Sequence, residues 1–186
     1  MGRPRRILVS GGLYHVTTRG NDRCPIVADD ADRYGLTRTI SAVVVRYSWI
    51  CYAWCLMDNH HHLLVETPLP NLADGMCQLN GTYSRRFNRR HQRRDHRFGG
   101  RYYAVLIERD RHLLSAARYI VLNRVRAGMC VHPADWPWSS YRALAGIDEP
   151  PTFLAQDLLL GQFARDRARA RALFVEYVAD GLRLAS

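Results

Sequence analysis

The segment Asn59-His60-His61-His62-Leu63-Leu64-Val65 places two imidazoles at i and i+2 in an apolar run. In an extended strand alternate side chains share a face. His60 and His62 would therefore project together, with Cα atoms about 6.5 Å apart, close enough for both rings to bind one divalent ion. His61 would face the other way. A second pair, Tyr119 and Asn123, stands at i and i+4, which on a helix puts a phenol and a carboxamide on one face. Beside a metal clip, the Asn123 carbonyl oxygen can act as a further ligand and Tyr119 can reach a phosphate held by the same ion. Read alone, a tyrosine between Ala117 and Ile120 is ordinarily a packing residue. Glu66 shares the strand parity of His60 and His62 and is a lesser candidate for the same ion. His15 reads equally as structural or metal-proximal.

The flanking pattern supplies elements to hold these groups. A first strand over Leu13 to Arg19 ends in the turn Gly20-Asn21-Asp22, and an acidic first turn at Asp29 to Asp32 opens a helix that runs to Tyr47. Strands from Ile50 to Met57 and from His60 to Glu66 are joined by Asp58-Asn59, a pair suited to a tight hairpin. Asn71 can cap a second helix to about Arg90, a fourth strand covers Tyr102 to Ile107, and a third helix spans about Asp110 to Ala127, stopped by Gly128. The order β-α-β-β-α-β predicts an α+β fold: a ferredoxin-like split β-α-β antiparallel sheet, with an added tyrosine-bearing helix and a C-terminal helical segment from about Leu154 to Leu184. Residues 1–145 read as one domain and 146–186 as a C-terminal helical extension packed on it.

Charge narrows the partner. The 186 residues carry 27 basic against 17 acidic side chains, a net +10, and every basic residue is Arg. The planar guanidinium pairs with phosphate and stacks on bases, which favours a nucleic-acid partner; a G+C-rich genome preferring Arg codons is the plainer account of the missing Lys. Arg85, Arg86, Arg89, Arg90, Arg93, Arg94, Arg97 and Arg101 cluster from the end of the second helix onward, and the first five are assigned as DNA contacts. Positions 86, 89, 90, 93 and 97 would form one stripe if that helix continued, with Tyr83 and Phe87 on its apolar side. The stripe is either a backbone-contact surface or a solvated face. Arg3, Arg5 and Arg6 form a terminal arm and Arg19 ends the first strand; all are assigned as DNA contacts. Trp136, Trp138 and Tyr141 either stack on unpaired bases or, preferably, lock a corner of the domain.

The five cysteines are odd in number and contain no C-x-x-C pair, as expected in a reducing compartment. On one strand Cys51 and Cys55 would lie about 13 Å apart, too far to share a zinc ion. No apolar run approaches the roughly 18 to 20 residues that cross a bilayer, and the start Met1-Gly2-Arg3-Pro4-Arg5-Arg6 lacks a secretory leader, so a cytoplasmic protein without a membrane partner is expected.

Taken in order, five segments resemble the single-tyrosine HUH transposases, and within them the REP-associated tyrosine transposase branch. They are Leu13-Tyr14-His15-Val16-Thr17-Thr18-Arg19-Gly20-Asn21, the stretch from Cys55 to Pro68, Gly81 to His91, Tyr119-Ile120-Val121-Leu122-Asn123-Arg124-Val125-Arg126-Ala127-Gly128, and Asp135-Trp136-Pro137-Trp138-Ser139-Ser140-Tyr141-Arg142. The resemblance covers roughly residues 3 to 145. It implies a metal-dependent endonuclease and strand transferase acting on single-stranded DNA at hairpin-forming, REP-like repeats. His60 and His62 would be the metal ligands, Asn123 would complete the shell and Tyr119 would be the nucleophile, forming a 5′-phosphotyrosine. It implies magnesium or manganese, and the two His ligands suit manganese at least as a substitute. A homodimer is possible, because some relatives use a partner's tyrosine helix. The competing class is a catalytically silent, domesticated hairpin DNA- or RNA-binding regulator. Three positions depart from the family pattern. His61 stands where a bulky apolar residue is usual, Arg124 follows Asn123 in place of the usual proline, and the segment from Asp95 to Arg101 differs before the fourth strand.

Overall fold

The structure, a computed structural model, describes residues 7–183, so the arm residues Arg3, Arg5 and Arg6 lie outside the described residues. Four strands, β1 (Gly12–Arg19), β2 (Ile50–Leu56), β3 (His60–Thr67) and β4 (Tyr103–Ile107), pair antiparallel in the order β2-β3-β1-β4. Helices α1 (Asp30–Arg46) and α2 (Leu72–Arg90) connect them in the expected split β-α-β order. β1 and β3 are the two central strands. On one face Tyr14, Val16 and Thr18 pair with Val65, Leu63 and His61, all buried. The other face carries His15, Thr17 and Arg19 opposite Leu64, His62 and His60. A two-residue turn, closed by Met57 N–H donating to the His60 carbonyl at 2.8 Å, launches β3 on that second face.

α1 opens as its sequence indicates: the Asp29 carboxylate accepts from the Asp32 N–H at 3.0 Å, capping the helix. Asn71 does not cap α2 with its side chain. The buried Trp49 indole needs an acceptor and takes the Asn71 amide oxygen at 2.8 Å, while the amide nitrogen donates to the Tyr47 carbonyl at 3.1 Å. α2 ends at Arg90, where Gln92 adopts a positive φ of 52°. The expected arginine stripe is therefore broken. Arg97 is buried over the Phe87 ring and donates to the Pro25 carbonyl and the Asp95 carboxylate, fixing the loop rather than facing solvent.

The single third helix expected from Asp110 to Ala127 is two pieces, α3 (Arg109–Val121) and α4 (Asn123–Arg126), with the backbone opening at Leu122 (ψ −2°). Leu122 is fully buried and Arg124 is tied to Asp58; such tertiary contacts leave no trace in helix propensity. The long C-terminal helix is also divided. After α5 (Tyr141–Leu144) come α6 (Gln156–Leu160) and α7 (Arg167–Arg183), the latter started by Asp166, whose carboxylate accepts from Arg169 N–H at 2.8 Å.

These later segments close the sheet and brace α3. Leu56 N–H donates to the Trp138 carbonyl at 2.8 Å, Ser140 N–H to Trp54 at 2.9 Å and Ala155 N–H to Cys51 at 2.8 Å, so the outer edge of β2 is covered rather than open. Tyr141 is buried and the Trp136 indole donates to the Leu56 carbonyl, in keeping with the corner-locking reading of the Trp-Pro-Trp segment. α7 approaches α3 closely at Gly181, where an added Cβ would lie 2.7 Å from Arg118 Cδ, and the Arg118 guanidinium stacks 4.1 Å from the Tyr177 ring. No helix among the described residues is long and apolar enough to cross a membrane.

Gly75 of α2 packs directly under the Trp49 ring, which its hydrogen bond to Asn71 prevents from swinging away. Gly75→Ala is expected to destabilise the fold by about 1–3 kcal/mol despite alanine's better helix propensity, measured by urea denaturation.

Candidate active site

β3 delivers His60 and His62 to one face of the sheet, as their spacing requires, with ring centroids 4.9 Å apart. α3 packs over the same side of β2 and β3 and brings Tyr119 to them. The Tyr119 ring sits edge-on to His15 at 5.6 Å and to His62 at 6.3 Å, and it is 42% exposed, so the phenol is open to an incoming substrate. The Asn123 side chain, one turn beyond, lies beside the His60 ring and favours its protonated form. Arg19, the residue opposite His60 in the register, is exposed and places positive charge beside it. Residues of four elements of one chain thus come together on this face of the sheet.

The imidazoles are held neutral. Burial, then the nearby Arg19 charge, lowers the pKa of His60 to about 4 against the opposing effect of Asn123. Burial, reinforced by the neighbouring histidines, lowers His62 to about 2, and burial alone lowers His15. Neutral imidazole is the form that binds a metal.

Ring orientation is fixed as well. His62 Nδ1 lies 2.9 Å from His15 Nε2 and 3.0 Å from Thr17 Oγ1. With the proton on Nδ1, the lone pair of Nε2 is free, and this buried atom has no hydrogen-bond partner among the described residues. His60 Nδ1 is engaged by the Asn59 amide oxygen at 2.6 Å. Two oriented imidazoles and an amide are groups of the kind that could hold a divalent ion. No group of three or more His, Cys, Asp and Glu that could hold a metal occurs among the described residues, so no richer competing site is found there.

Other candidates fall elsewhere. Glu66 lies at the far end of β3, where its carboxylate accepts from the Tyr52 hydroxyl at 2.8 Å. Cys51 and Cys55 are buried free thiols, each pushed up to about 12 by burial, and belong to no group of three or more candidate metal ligands among the described residues. Arg85, Arg86 and Arg89 line an open hollow with Thr39 and Thr82 on the outer side of α1 and α2, away from the histidine face. Arg90 lines the same hollow, but its guanidinium is held by Asp29 and Asp32, both at 2.6 Å. Arg93 leaves the helix and stands 3.9 Å from the Asp95 carboxylate. Thr17 was not singled out by sequence; its signal was its parity with His15, two residues earlier on the central strand.

The sequence pattern of the family described as Transposase IS200 like matches residues 8–123, a span that ends on Asn123. The chain belongs to this family. It is 28% identical over 159 residues to a REP-associated tyrosine transposase of Haemophilus influenzae, covering 76% of this chain and 86% of that protein. A solved structure of a REP-associated tyrosine transposase bound to a REP hairpin shares the fold, with a TM-score of 0.69 and 18% identity over 83% of this chain and 92% of the other. Within the IS200-like frame, the departure at Arg124 acquires a structural role: its guanidinium donates to Asp58 at 3.1 Å and lies 3.8 Å over the Trp136 ring.

His61 is the departure with a cost. It points into the helical side of the sheet, fully buried beside Phe98, with both ring nitrogens unpartnered among the described residues and its pKa lowered by burial to about 3. An unsatisfied buried polar group costs about 1–3 kcal/mol, so His61→Leu is expected to raise stability by roughly that amount at neutral pH in denaturant melts; a loss of stability would contradict the packing described.

The sign with pH follows from the depressed histidines. At pH 7 they are neutral in both folded and unfolded chains. Below the ordinary value of 6.5 the unfolded chain gains protons that the folded chain refuses until about pH 3 to 4. Stability is therefore expected to fall between pH 6.5 and pH 4, by up to about 1.4 kcal/mol per histidine per unit, and His61→Leu is expected to flatten that limb of the profile.

Proposed function

We propose that this IS200-like transposase is a metal-dependent single-stranded DNA endonuclease and strand transferase in which Tyr119 is the nucleophile. The observation that carries the reading is the edge-on placement of the accessible Tyr119 ring against His62 and His15 on the face that also carries His60. Magnesium or manganese would be held by His60 Nε2, His62 Nε2 and the Asn123 amide oxygen. Such an ion neutralises phosphate charge and lowers the barrier to attack by a phenol, a weak nucleophile at neutral pH.

The chain's own residues account for the remaining requirements. Arg19 adds a cation beside His60 that can pair with a non-bridging phosphate oxygen. His15 and Thr17 keep the His62 ring from rotating, so the phosphate is presented at a fixed distance from α3. The Tyr119 oxygen attacks phosphorus and gives up its proton, and the bond to the DNA 3′-oxygen breaks. The products are a 5′-phosphotyrosine and a free 3′-hydroxyl. Because one phosphodiester replaces another, a different 3′-hydroxyl can reverse the step and join strands without a nucleotide cofactor.

The relatives support the reading of the substrate class, one named a REP-associated tyrosine transposase and one solved on a REP hairpin. We assign hairpin-forming repeats with a flanking single strand as the substrate of this chain. The net charge of +10 and the guanidiniums of Arg85, Arg86 and Arg89 around an open hollow suit the phosphate backbone of such DNA.

End-labelled hairpins from repeats beside the gene, incubated with manganese or magnesium, are expected to yield a covalent protein–DNA adduct. The adduct should disappear with EDTA and fall at least about 10³-fold in Tyr119→Phe, read on denaturing gels. Tight binding with no adduct under either ion would instead assign the chain to the silent regulators.

A further inference from the structure

Asp58 occupies the turn that launches β3, two positions before His60, and its two carboxylate oxygens are taken by different arginines. Arg33 of α1 reaches Oδ1 at 2.7 Å and Arg124 of α4 reaches Oδ2 at 3.1 Å. Arg124 is 8% exposed and directly follows Asn123. Its guanidinium lies 3.8 Å over the Trp136 ring, and the Arg33 guanidinium lies 5.5 Å from the same ring. Trp136 is itself pinned by its indole N–H donating to the Leu56 carbonyl at 2.9 Å, at the end of β2. One carboxylate, two guanidiniums and one indole therefore join α1, the β2–β3 turn and α4.

The two sides of this junction are not equally secured. The β2–β3 turn is already held by backbone bonds: Gly20 N–H to the Asn59 carbonyl and Ile26 N–H to the Asp58 carbonyl, both at 2.7 Å. α4 is a single turn after a helix break. Among the described residues, Asn123 lies beside His60, and Arg124 anchors the turn to Asp58. One amide beside one imidazole cannot by itself fix a helical turn; the buried arginine next to it, ion-paired to Asp58 and stacked on Trp136, can.

We propose that Asp58 and Arg124 are positioning residues whose ion pair, backed by Trp136, holds Asn123 against His60 and so sets the geometry of the metal shell facing Tyr119. The proposal rests on the metal site and the nuclease chemistry of the reading above, which the manganese titration and the adduct rate test separately.

The test uses the full chain with Arg124→Met, Asp58→Ala, the double variant and Arg124→Lys. Arg124→Met keeps the apolar contact with Trp136 and leaves Asp58 paired with Arg33, so it is chosen to preserve folding. Manganese affinity is measured by titration with EPR detection of the free ion, the adduct rate under single-turnover conditions, and hairpin affinity in EDTA. Arg124→Met is expected to weaken manganese binding about 10-fold and to slow adduct formation about 10–100-fold, with hairpin affinity in EDTA within twofold of wild type. The double variant should be no worse than the worse single, and Arg124→Lys should recover part of the manganese affinity.

Wild-type manganese affinity in Arg124→Met would overturn the proposal, as would losses that multiply in the double variant. If wild type forms no adduct at all, the nuclease reading fails, while the manganese titrations still decide whether the pair positions the shell.

Discussion

The two-residue period of β3, flanked by hydrogen-bonded partners on both sides, is the constraint on which the site depends. Because β1 and β2 fix its register, His60 and His62 cannot trade faces with His61 without moving every neighbour on the strand. One face receives Leu63 and Val65 as core; the other receives two imidazoles at the level of Thr17 and Arg19. The same pairing that builds the hydrophobic centre of the molecule therefore spaces and orients the polar groups. Desolvation does the rest, keeping the rings neutral beside Arg19 and Arg124, whose charges also disfavour protonation.

Against this rigid strand the tyrosine arrives on an element that needs support. α3 reaches β2 and β3 from the face opposite α1 and α2, and α7 braces it through the close approach at Gly181 and the stack of Arg118 on Tyr177. The C-terminal segments thus contribute to the site without entering it. They cover the edge of β2 and hold the helix that carries Tyr119. Tyr119 and the histidines are brought together within one chain, so intrachain packing sets their relative geometry.

Much of this was legible in residue order. The face shared by His60 and His62, the hairpin at Asp58-Asn59 and the split β-α-β plan follow from alternation and turn chemistry, which are local. The partnership of Tyr119 with the histidines needed the family resemblance, since spacing alone reads it as packing. What was not legible rests on tertiary contacts. Asn71 was claimed by a tryptophan, Arg90 and Arg97 by carboxylates and a ring, and Leu122 broke a helix where propensity shows none. Asp166 was a missed local signal, a cap inside what reads as one continuous helix. The role of Arg124 is visible only once Asp58 and Trp136 are beside it.

The central claim is that a single chain holds a complete active site. Mixing Tyr119→Phe protein with His60→Ala/His62→Ala protein tests it, with wild type as the positive control for adduct formation on a hairpin substrate in manganese. The account predicts that the mixture stays inactive, because neither chain pairs an intact tyrosine with intact histidines. Adduct formation by the mixture would contradict it, showing that Tyr119 serves the histidines of another copy.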